Sequence, residues 1–373
     1  MDMVNITKHA LLEMPFSSID SQLGHSFIPL SQTTDLLDHE ITAFFGAVNQ
    51  DVGRSIVENT AGSPVGIYNA KNVCITFDGY LFKNNSFLAT AGLNLREAGR
   101  PVLAHFLENI ITEIFIHDPC VLLYGPGWTT WGHWTIEFFT RIYLLERLGT
   151  RPEEIKWIIP AQCPDFVHFF LKKFGITADN IIKFEHTKEY LHCQSLIIPT
   201  NLTCGMSCHP LMSDYIVWLK TKLKLPTLPD ITQKIYLSRQ KLTSTRRIIN
   251  ATEIENIATD FGYTIFYPEK MTIDEQIKTY SKSVSIFSEY GSASHNNIFA
   301  PRSAFIGCLR DNKRSVGFIQ SALCKAAQQK MCYIFGREEI NYPESSYYIN
   351  PNDLRDSLVF ADQKIKQSLF NLF

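Results

Sequence analysis

The stretch Val284–Pro301, VSIFSEYGSASHNNIFAP, predicts how the second half of this chain folds. Its apolar beginning, VSIF, is typical of a short buried strand in a parallel sheet. Gly291 then allows a tight turn through a positive φ angle, and Ser292 or Ser294 can cap a short helix that ends at Pro301. The amides and partial positive charge of a helix N-terminus favour a phosphate. Taken alone, the pattern favours an ordinary strand-to-helix turn, so the neighbouring segments decide its meaning.

The segments around this stretch alternate between strand and helix. KIYLSR, YTIFYP and VSIFSEYG predict three strands, and ATEIENIATDF and IDEQIKTYSKS predict the two helices between them. Asn250 with Glu253, and Thr272 with Glu275, have the spacing of capping boxes at the two helix starts. AFIGCL and MCYIFG predict two further strands, and residues 352 to 371 a closing helix. The pattern therefore predicts a βαβαβ unit with a parallel sheet.

Ligands of such sheets bind outside the carboxyl ends of the strands. Arg239, Glu269 and the turn at Gly291 all fall at this predicted edge. An arginine fork and a helix N-terminus on one edge can together bind a diphosphate. A cationic loop with Arg246 and Arg247 follows, and solvated loop charge is the favoured interpretation for one of these two.

The region from about residue 101 to 200 shows a similar alternation. PVLAHFLENIITEIF, from Pro101, predicts an amphipathic helix, and CVLLYG predicts the buried strand after it. HWTIEFFTRIYLLERLG predicts a helix that ends at Gly149, followed by the strand IKWIIP and the helix DFVHFFLKKFG. A second α/β unit is therefore expected. The Pro- and Gly-containing interval Thr200–Asp230 is expected to connect the two units.

The first 100 residues carry less information. Residues 63–88 contain short β-branched runs broken by Asn, Gly and Asp, which predict antiparallel strands. Asp78 and Gly79 have the composition of a hairpin turn between ITF and YLF. No function is predicted for this part of the chain.

Composition narrows the class of protein. With 373 residues and 45% hydrophobic content, the chain can bury a large core and is expected to form two domains. Its net charge of −2 argues against a nucleic-acid-binding protein. Nine scattered cysteines without CxxC pairs predict reduced thiols in a cytoplasmic protein. The Cys204–His209 cluster fits no zinc spacing, and no signal peptide or membrane span is predicted.

Two blocks of sequence resemble glycosyltransferase family 61. The C-terminal block is YLSR…RRIIN…GYTIFYPEKMTIDEQI…SEYGSASHNNIFAP, and the upstream block is GHWTIEFFTR. Together the blocks extend from about Leu122 to Pro301, and their order and separation of about 100 residues make the resemblance fairly specific. Two residues depart from the family pattern: Tyr290 stands where the family has His, and Thr140 where it has Pro.

The resemblance implies an α/β fold of the GT-B type, with two Rossmann-like domains facing each other across a cleft and an N-terminal β-rich extension. Residues 1–200 are then expected to form this extension and the acceptor-side domain, and residues 201–230 a linker. Residues 231–350 are expected to form the donor domain. Residues 351–373 are expected to form a helix that returns to the N-terminal domain.

The resemblance also implies an inverting, metal-independent glycosyltransferase without a cofactor. Its expected donor is a nucleotide sugar, with UDP as the favoured nucleotide, and its acceptor a glycan or glycolipid hydroxyl in capsule polysaccharide or lipopolysaccharide synthesis. The lack of an Asp-x-Asp motif agrees with metal independence. The expected location is the cytoplasm, with peripheral association at the inner membrane, and no nucleic-acid partner is expected.

Inverting transfer needs a base for the acceptor hydroxyl and positive charge for the leaving diphosphate. His133 and Glu137 are four residues apart and share a helix face. Judged on the residues alone, His133 packs at the helix start and Glu137 pairs with Arg141. The resemblance instead favours Glu137 as general base with His133 beside it, and Trp131 and Arg141 as acceptor-binding residues. Donor-binding residues matching the C-terminal block are Arg239, Arg246, Glu269, Gly291, Ser292, His295 and Asn296.

Two other functions remain open at this point. A non-catalytic sugar-binding or assembly protein on the same fold is one, because Tyr290 replaces the family His and any role of that His is lost or moved to His295. A NAD-dependent oxidoreductase is the other, although the G-x-G-x-x-G fingerprint follows none of the predicted strands.

Overall fold

The computed structural model describes residues 5–48, 62–90, 93, 95, 104–225, 233–242, 247–313, 318–339 and 346–370. The chain forms two compact units. The first consists of Met1–Asp35 with Ala61–Cys204, and the second of Leu36–Thr60 with Gly205–Phe373. Each unit has its own sheet with parallel strands and packed helices. The predicted α/β class is therefore confirmed.

The second unit is built on a mainly parallel sheet, in which only the short strand Tyr347–Tyr348 of the described strands pairs antiparallel. Its middle strand, Ser283–Glu289, is buried at every position, as the apolar run VSIF predicts. Its direct neighbour is Gln233–Leu237, the first strand of the predicted βαβαβ unit. The next strand of that unit, Thr264–Phe266, lies on the far side of Gln233–Leu237. This reversal of strand order creates a topological switch point between Gln233–Leu237 and Ser283–Glu289. The remaining strands are Phe305–Asp311, Lys330–Glu338, Tyr347–Tyr348 and Ala43–Gly46.

Helices cover this sheet and start where the capping residues predict. Thr272 accepts from the amide of Glu275, whose carboxylate accepts from the Thr272 amide in return, so the predicted capping box is confirmed. At the other helix start, the Asn250 side chain instead donates to the Glu253 carboxylate. The helices are Leu211–Lys222, Ala251–Asp260, Ile273–Ser281, Ile319–Ala327 and Pro351–Phe370, with 3-10 segments at Pro268–Lys270 and Ser292–Phe299.

Three of the expected domain boundaries are wrong. The strand Ala43–Gly46 pairs in parallel with Lys330–Glu338, so an early segment belongs to the second unit. Helix Leu211–Lys222 also belongs to it, so residues 201–230 are not simply a linker. Helix Pro351–Phe370 does not return to the first unit: its buried residues pack into the second unit's core. The cause is an apolar stripe at helical spacing, formed by Leu354, Leu358, Ala361 and Ile365.

The first unit contains a mixed sheet. The strands Cys120–Leu122, Lys156–Pro160 and Ile181–Phe184 lie side by side in parallel, and the first two are the strands predicted from CVLLYG and IKWIIP. The long strand Glu189–Pro199 joins them to an antiparallel part that includes the Val65–Thr76 and Tyr80–Lys83 hairpin. The other strands are Asn5–Thr7, Phe16–Ser18, Phe27–Ser31, Ser86–Ala89 and Ile110–Ile116.

Of the helix predicted from Pro101, residues 104–106 are helical, but the second half is a strand. Residues Ile110–Ile116, expected to belong to an amphipathic helix, pair in parallel with Glu189–Pro199 and antiparallel with Asn5–Thr7. The helices that do form are Lys8–Leu12, Ile19–Leu23, Trp131–His133, Phe139–Arg147 and Asp165–Lys173, and 3-10 segments lie at Gly24–Ser26, Pro152–Glu154 and Ala178–Asn180.

Two further features bear on the class of protein. All nine cysteines are free thiols, and most of them are buried. Among the helices of the described residues, none is both long and apolar enough to cross a bilayer.

Candidate active site

The predicted pair His133 and Glu137 is in contact in the first unit. Nδ1 of His133 lies 3.0 Å from Oε2 of Glu137. Glu137 is 7% exposed, whereas the His133 side chain is 40% exposed. Burial alone lowers the pKa of His133, but the hydrogen bond and negative charge of Glu137 outweigh it, so the pKa is raised.

The backbone around this pair is a wide turn. Residues Trp134–Phe138 form a single π-helical turn between the helical segments Trp131–His133 and Phe139–Arg147. Single π turns inside helices occur frequently at functional sites. Here the turn carries Glu137, so the irregularity lies at the residue predicted to be the base.

The ring of His133 is held in place by a glycine. Gly127, in the loop after the strand Cys120–Leu122, has a φ angle of +86°. A Cβ at this position would lie 2.5 Å from Cδ2 and 2.6 Å from Nε2 of His133. Only glycine leaves room for the ring there, and it also adopts this backbone conformation without strain.

Arg141 is held by hydrogen bonds within the first unit. It is fully buried, and its guanidinium donates to Oδ1 of Asn201 and to the carbonyls of Leu122 and Tyr124. Desolvation lowers the pKa of Arg141 to about 10, with the negative charge of Glu137 opposing the shift. Arg141 therefore connects the helix to the carboxyl end of the strand Cys120–Leu122, and its acceptor-binding role stays a prediction.

Trp131 is only partly buried and lies at the start of the same helix. Its ring packs edge-on against Phe166, at 4.9 Å between centroids, and against Phe170 at 5.8 Å. These contacts fix the ring while leaving part of it accessible, so an acceptor-binding role for Trp131 stays a prediction.

The second unit has a cavity of about 310 Å³ at its topological switch point. Arg239 follows the strand Gln233–Leu237, and Glu289 ends the strand Ser283–Glu289, so both belong to adjacent carboxyl ends. The first turn of helix Ala251–Asp260 also reaches this cavity, and its amides and dipole favour an anion. The lining residues are Arg239, Gln240, Arg247, Ile248, Ile249, Ala251, Thr252, Glu289 and Ser346.

Arg239 lies across the turn at Gly291. A Cβ on Gly291 would overlap the guanidinium of Arg239, with Cζ at 3.1 Å. Gly291 has a φ angle of 166°, which is extended backbone open to any residue. The expectation of a positive φ there is wrong, and glycine is needed for space. Because glycine has no side chain, Arg239 packs directly on the backbone of this turn.

Glu289 shares this cavity with Arg239. It is 4% exposed, and its carboxylate accepts from the backbone amide of Arg239 at 2.9 Å. Burial raises the pKa of Glu289 to about 7, opposed by the Arg239 amide and charge. The sequence argument missed Glu289, although its place at the end of a buried strand beside the switch point is a signal that could have identified it.

The residues of the turn after Gly291 differ in their exposure to solvent. Ser292 is partly buried at the first position of the 3-10 segment Ser292–Phe299. Asn296 is fully buried and donates to Oε1 of Gln276 at 3.2 Å. His295 is 9% exposed, and its Nδ1 lies 3.0 Å from Oε1 of Gln320. His295 and Asn296 therefore anchor the turn to neighbouring helices, and the donor-binding roles of these two residues and of Ser292 stay predictions.

Glu269 and Arg246 are the other two predicted donor-binding residues. Glu269 is exposed in the 3-10 segment Pro268–Lys270, directly after the strand Thr264–Phe266. Arg246 lies outside the described residues. Tyr290, which departs from the family pattern, stacks with Arg310, whose Cζ lies 5.1 Å from the ring centroid.

The described residues contain no set of side chains suited to bind a metal ion. Within the ranges given above, no three side chains of His, Cys, Asp or Glu lie close enough together to hold a metal ion.

Comparison with known proteins gives one family. The family model described as Glycosyltransferase 61 matches residues 131–306, which contain His133, Glu137, Arg239 and Glu289. A search of curated proteins gives no match. Among solved structures, the chain aligns with the metal-soaked Flv1 flavodiiron core from Synechocystis sp. PCC6803 at 12% identity and a TM-score of 0.26. That alignment covers 49% of this chain and 44% of the other, and at this TM-score it carries no argument.

Proposed function

We propose that this chain, which residues 131–306 identify as a member of glycosyltransferase family 61, transfers a sugar from a nucleotide-sugar donor to a hydroxyl group of a glycan or glycolipid. The observation that carries the proposal is the His133–Glu137 pair, a 3.0 Å contact inside the matched region and on a π-helical turn. Family membership supports the class of reaction, and the geometry supports the roles of individual residues.

Glu137 is the general base in this proposal. A sugar hydroxyl is a weak nucleophile until its proton is being removed, so a base must lie within about 3 Å of it. Glu137 is largely buried, which limits competition from water, and His133 hydrogen-bonds to it and is the more accessible of the two. His133 orients the carboxylate and binds the acceptor beside it. Attack with removal of this proton, in a single displacement, inverts the anomeric centre.

The leaving diphosphate is bound in the cavity at the switch point of the second unit. Arg239 and the first turn of helix Ala251–Asp260 provide fixed positive charge there. Protein cations stabilise the departing phosphate, so the reaction proceeds without a divalent ion. A GT-B arrangement is part of the proposal, with the base supplied by the first unit and the donor bound by the second.

The biological setting is also proposed. A surface-polysaccharide acceptor, such as capsule or lipopolysaccharide, and a location in the cytoplasm beside the inner membrane fit the family and the nine free cysteines.

A thermal-shift panel of UDP-, GDP- and CMP-sugars tests the proposal, because a ligand bound only to the native state raises the melting temperature. We expect one nucleotide class to stabilise the protein and Arg239→Ala to lose most of that effect. A charge-assisted hydrogen bond contributes about 1.5–3 kcal/mol, which is roughly a 10- to 150-fold change in affinity.

Chromatography of the same mixtures separates an enzyme from a binding protein. Slow release of free nucleoside diphosphate from a UDP- or GDP-sugar, or of CMP from a CMP-sugar, is expected from the enzyme. Stabilisation without any nucleotide release, even with acceptor glycans present, would indicate the sugar-binding alternative, and no stabilisation by any nucleotide sugar would contradict both.

A further inference from the structure

The N-terminal hairpin is fastened to the loop that holds the His133 ring. The turn between the strands Val65–Thr76 and Tyr80–Lys83 contains Asp78, which is partly buried. Oδ1 of Asp78 accepts a hydrogen bond from the indole Nε1 of Trp128 at 2.9 Å. Trp128 is 6% exposed and immediately follows Gly127. A buried indole N–H needs such a partner, so the Asp78 contact fixes the loop.

Further contacts make this connection stiff. The hydroxyl of Tyr124 donates to the carbonyl of Phe77 at 3.0 Å, next to the hairpin turn. Gly79, at a φ angle of +76°, packs so closely on the loop that a Cβ there would lie 2.9 Å from the carbonyl oxygen of Tyr124. The hairpin tip therefore contacts the loop through two hydrogen bonds and a close backbone approach.

The loop that contains Gly127 and Trp128 also contacts the His133–Glu137 segment. On the other side of the loop, the indole Nε1 of Trp134 donates to the carbonyl of Trp128, which joins the loop to the π-helical turn. Gly127 lies against the ring of His133. The position of Trp128 thus determines how closely the loop backbone approaches the imidazole, and hence where Nδ1 points relative to Glu137.

We propose that Asp78 is a positioning residue: through Trp128 and Gly127 it holds the His133 ring against Glu137. Asp78 is outside the region that the family model matches, so this role gives the N-terminal hairpin a part in the site. The inference rests on the proposed function only for its effect on turnover. Its effect on the His133–Glu137 contact is independent of any activity.

The charge on Asp78 contributes to this role. Burial raises the pKa of Asp78 to about 6, opposed by the Trp128 hydrogen bond. Above that pH the acceptor is a carboxylate, which forms a stronger hydrogen bond than a neutral acceptor does. The neighbouring ring of His186 packs edge-on against Trp128, 5.0 Å between centroids, and burial lowers the pKa of His186, so this neighbour is a neutral packing partner at pH 7.

The test compares three variants of the full chain. Trp128→Phe removes the indole donor but keeps an aromatic ring, Asp78→Ala removes the acceptor, and Asp78→Asn keeps an amide oxygen that can accept. The primary readout is the pKa of His133, measured by NMR titration of its ring resonances with His133→Gln as the assignment control. Melting curves establish that each variant is folded.

Asp78→Ala and Trp128→Phe are expected to lower the His133 pKa towards its ordinary value, because the contact with Glu137 loosens. Asp78→Asn is expected to keep most of the shift. Asp78→Ala and Trp128→Phe should each reduce kcat about tenfold with little change in donor KM. The variant that carries both substitutions should be no slower than the slower of the two single variants. An unchanged His133 pKa in folded Asp78→Ala and Trp128→Phe overturns the inference, whatever the protein's activity. A changed pKa in a protein without transferase activity would keep the inference and refute the proposed function.

Discussion

Replacing Gly127 with alanine directly perturbs His133, the hydrogen-bond partner of the candidate base Glu137. The new Cβ would lie 2.5 Å from Cδ2 and 2.6 Å from Nε2 of His133. Since carbon atoms in contact are ordinarily about 3.5–4.0 Å apart, the ring or the loop must move by about 1 Å. A displacement of that size at a reacting centre can lower a rate by about 10²-fold. We therefore expect Gly127→Ala to reduce turnover by one to two orders of magnitude.

The chain offers a matched control for the backbone part of this change. Gly149 has the same φ angle of +86°, but a Cβ there meets nothing within 4 Å. Alanine in a left-handed conformation costs roughly 1–2 kcal/mol at either position. Both variants should therefore lose a similar amount of stability from the backbone, and only Gly127→Ala should displace His133.

The assay is kcat for transfer or donor hydrolysis, measured with the melting temperature and the donor affinity of each variant. We expect Gly149→Ala to turn over like the wild type after correction for the folded fraction, and Gly127→Ala to bind donor normally but react slowly. Equal turnover in the two folded variants would refute the argument that Gly127 positions the His133 ring.

Three further predictions concern the second unit and the chemistry. Gly291→Ala should keep the fold, because the atom it meets is the flexible end of Arg239, yet weaken donor binding measured by calorimetry; donor affinity equal to wild type would show that the position of Arg239 is unimportant. The pKa of Glu289 is about 7 in the folded state, above its ordinary value of 4.5, so the folded state binds this proton more tightly than the unfolded state does. The free energy of unfolding should therefore fall by on the order of 3 kcal/mol as the pH rises from about 4.5 to 7. Glu289→Gln should lack that fall in urea unfolding at pH 5 and pH 8, and a wild-type-like pH dependence in the variant would contradict the assignment. Finally, turnover should survive dialysis against EDTA, whereas a complete loss restored by a divalent ion would refute the metal-independent step.

Local patterns predicted much of the second unit correctly. Strand Ser283–Glu289 is a short apolar run buried on both faces, and the Thr272–Glu275 spacing defines a helix start by itself. The contact between His133 and Glu137 follows from their spacing on one helical face. In each case the deciding interaction lies within a few residues along the chain.

The errors arise where distant residues decide. Ile110–Ile116 forms a strand because Glu189–Pro199 is available as a partner, which local periodicity does not reveal. The Arg141 guanidinium donates to Asn201 and to two carbonyls at a strand end, so this side chain is internal although the family resemblance favoured it for ligand binding. For Gly291, the reason for glycine is the side chain of Arg239, more than fifty positions earlier, rather than its own φ angle.

The most direct test of the central claim is the single-turnover rate of Glu137→Gln with saturating donor and acceptor. Glutamine is nearly isosteric and keeps a hydrogen-bonding group beside His133, so the fold and the donor affinity should be unchanged. Loss of a general base should lower the rate by about 10²–10⁴-fold. A folded variant that binds donor and reacts at the wild-type rate would contradict the assignment of Glu137 as the base.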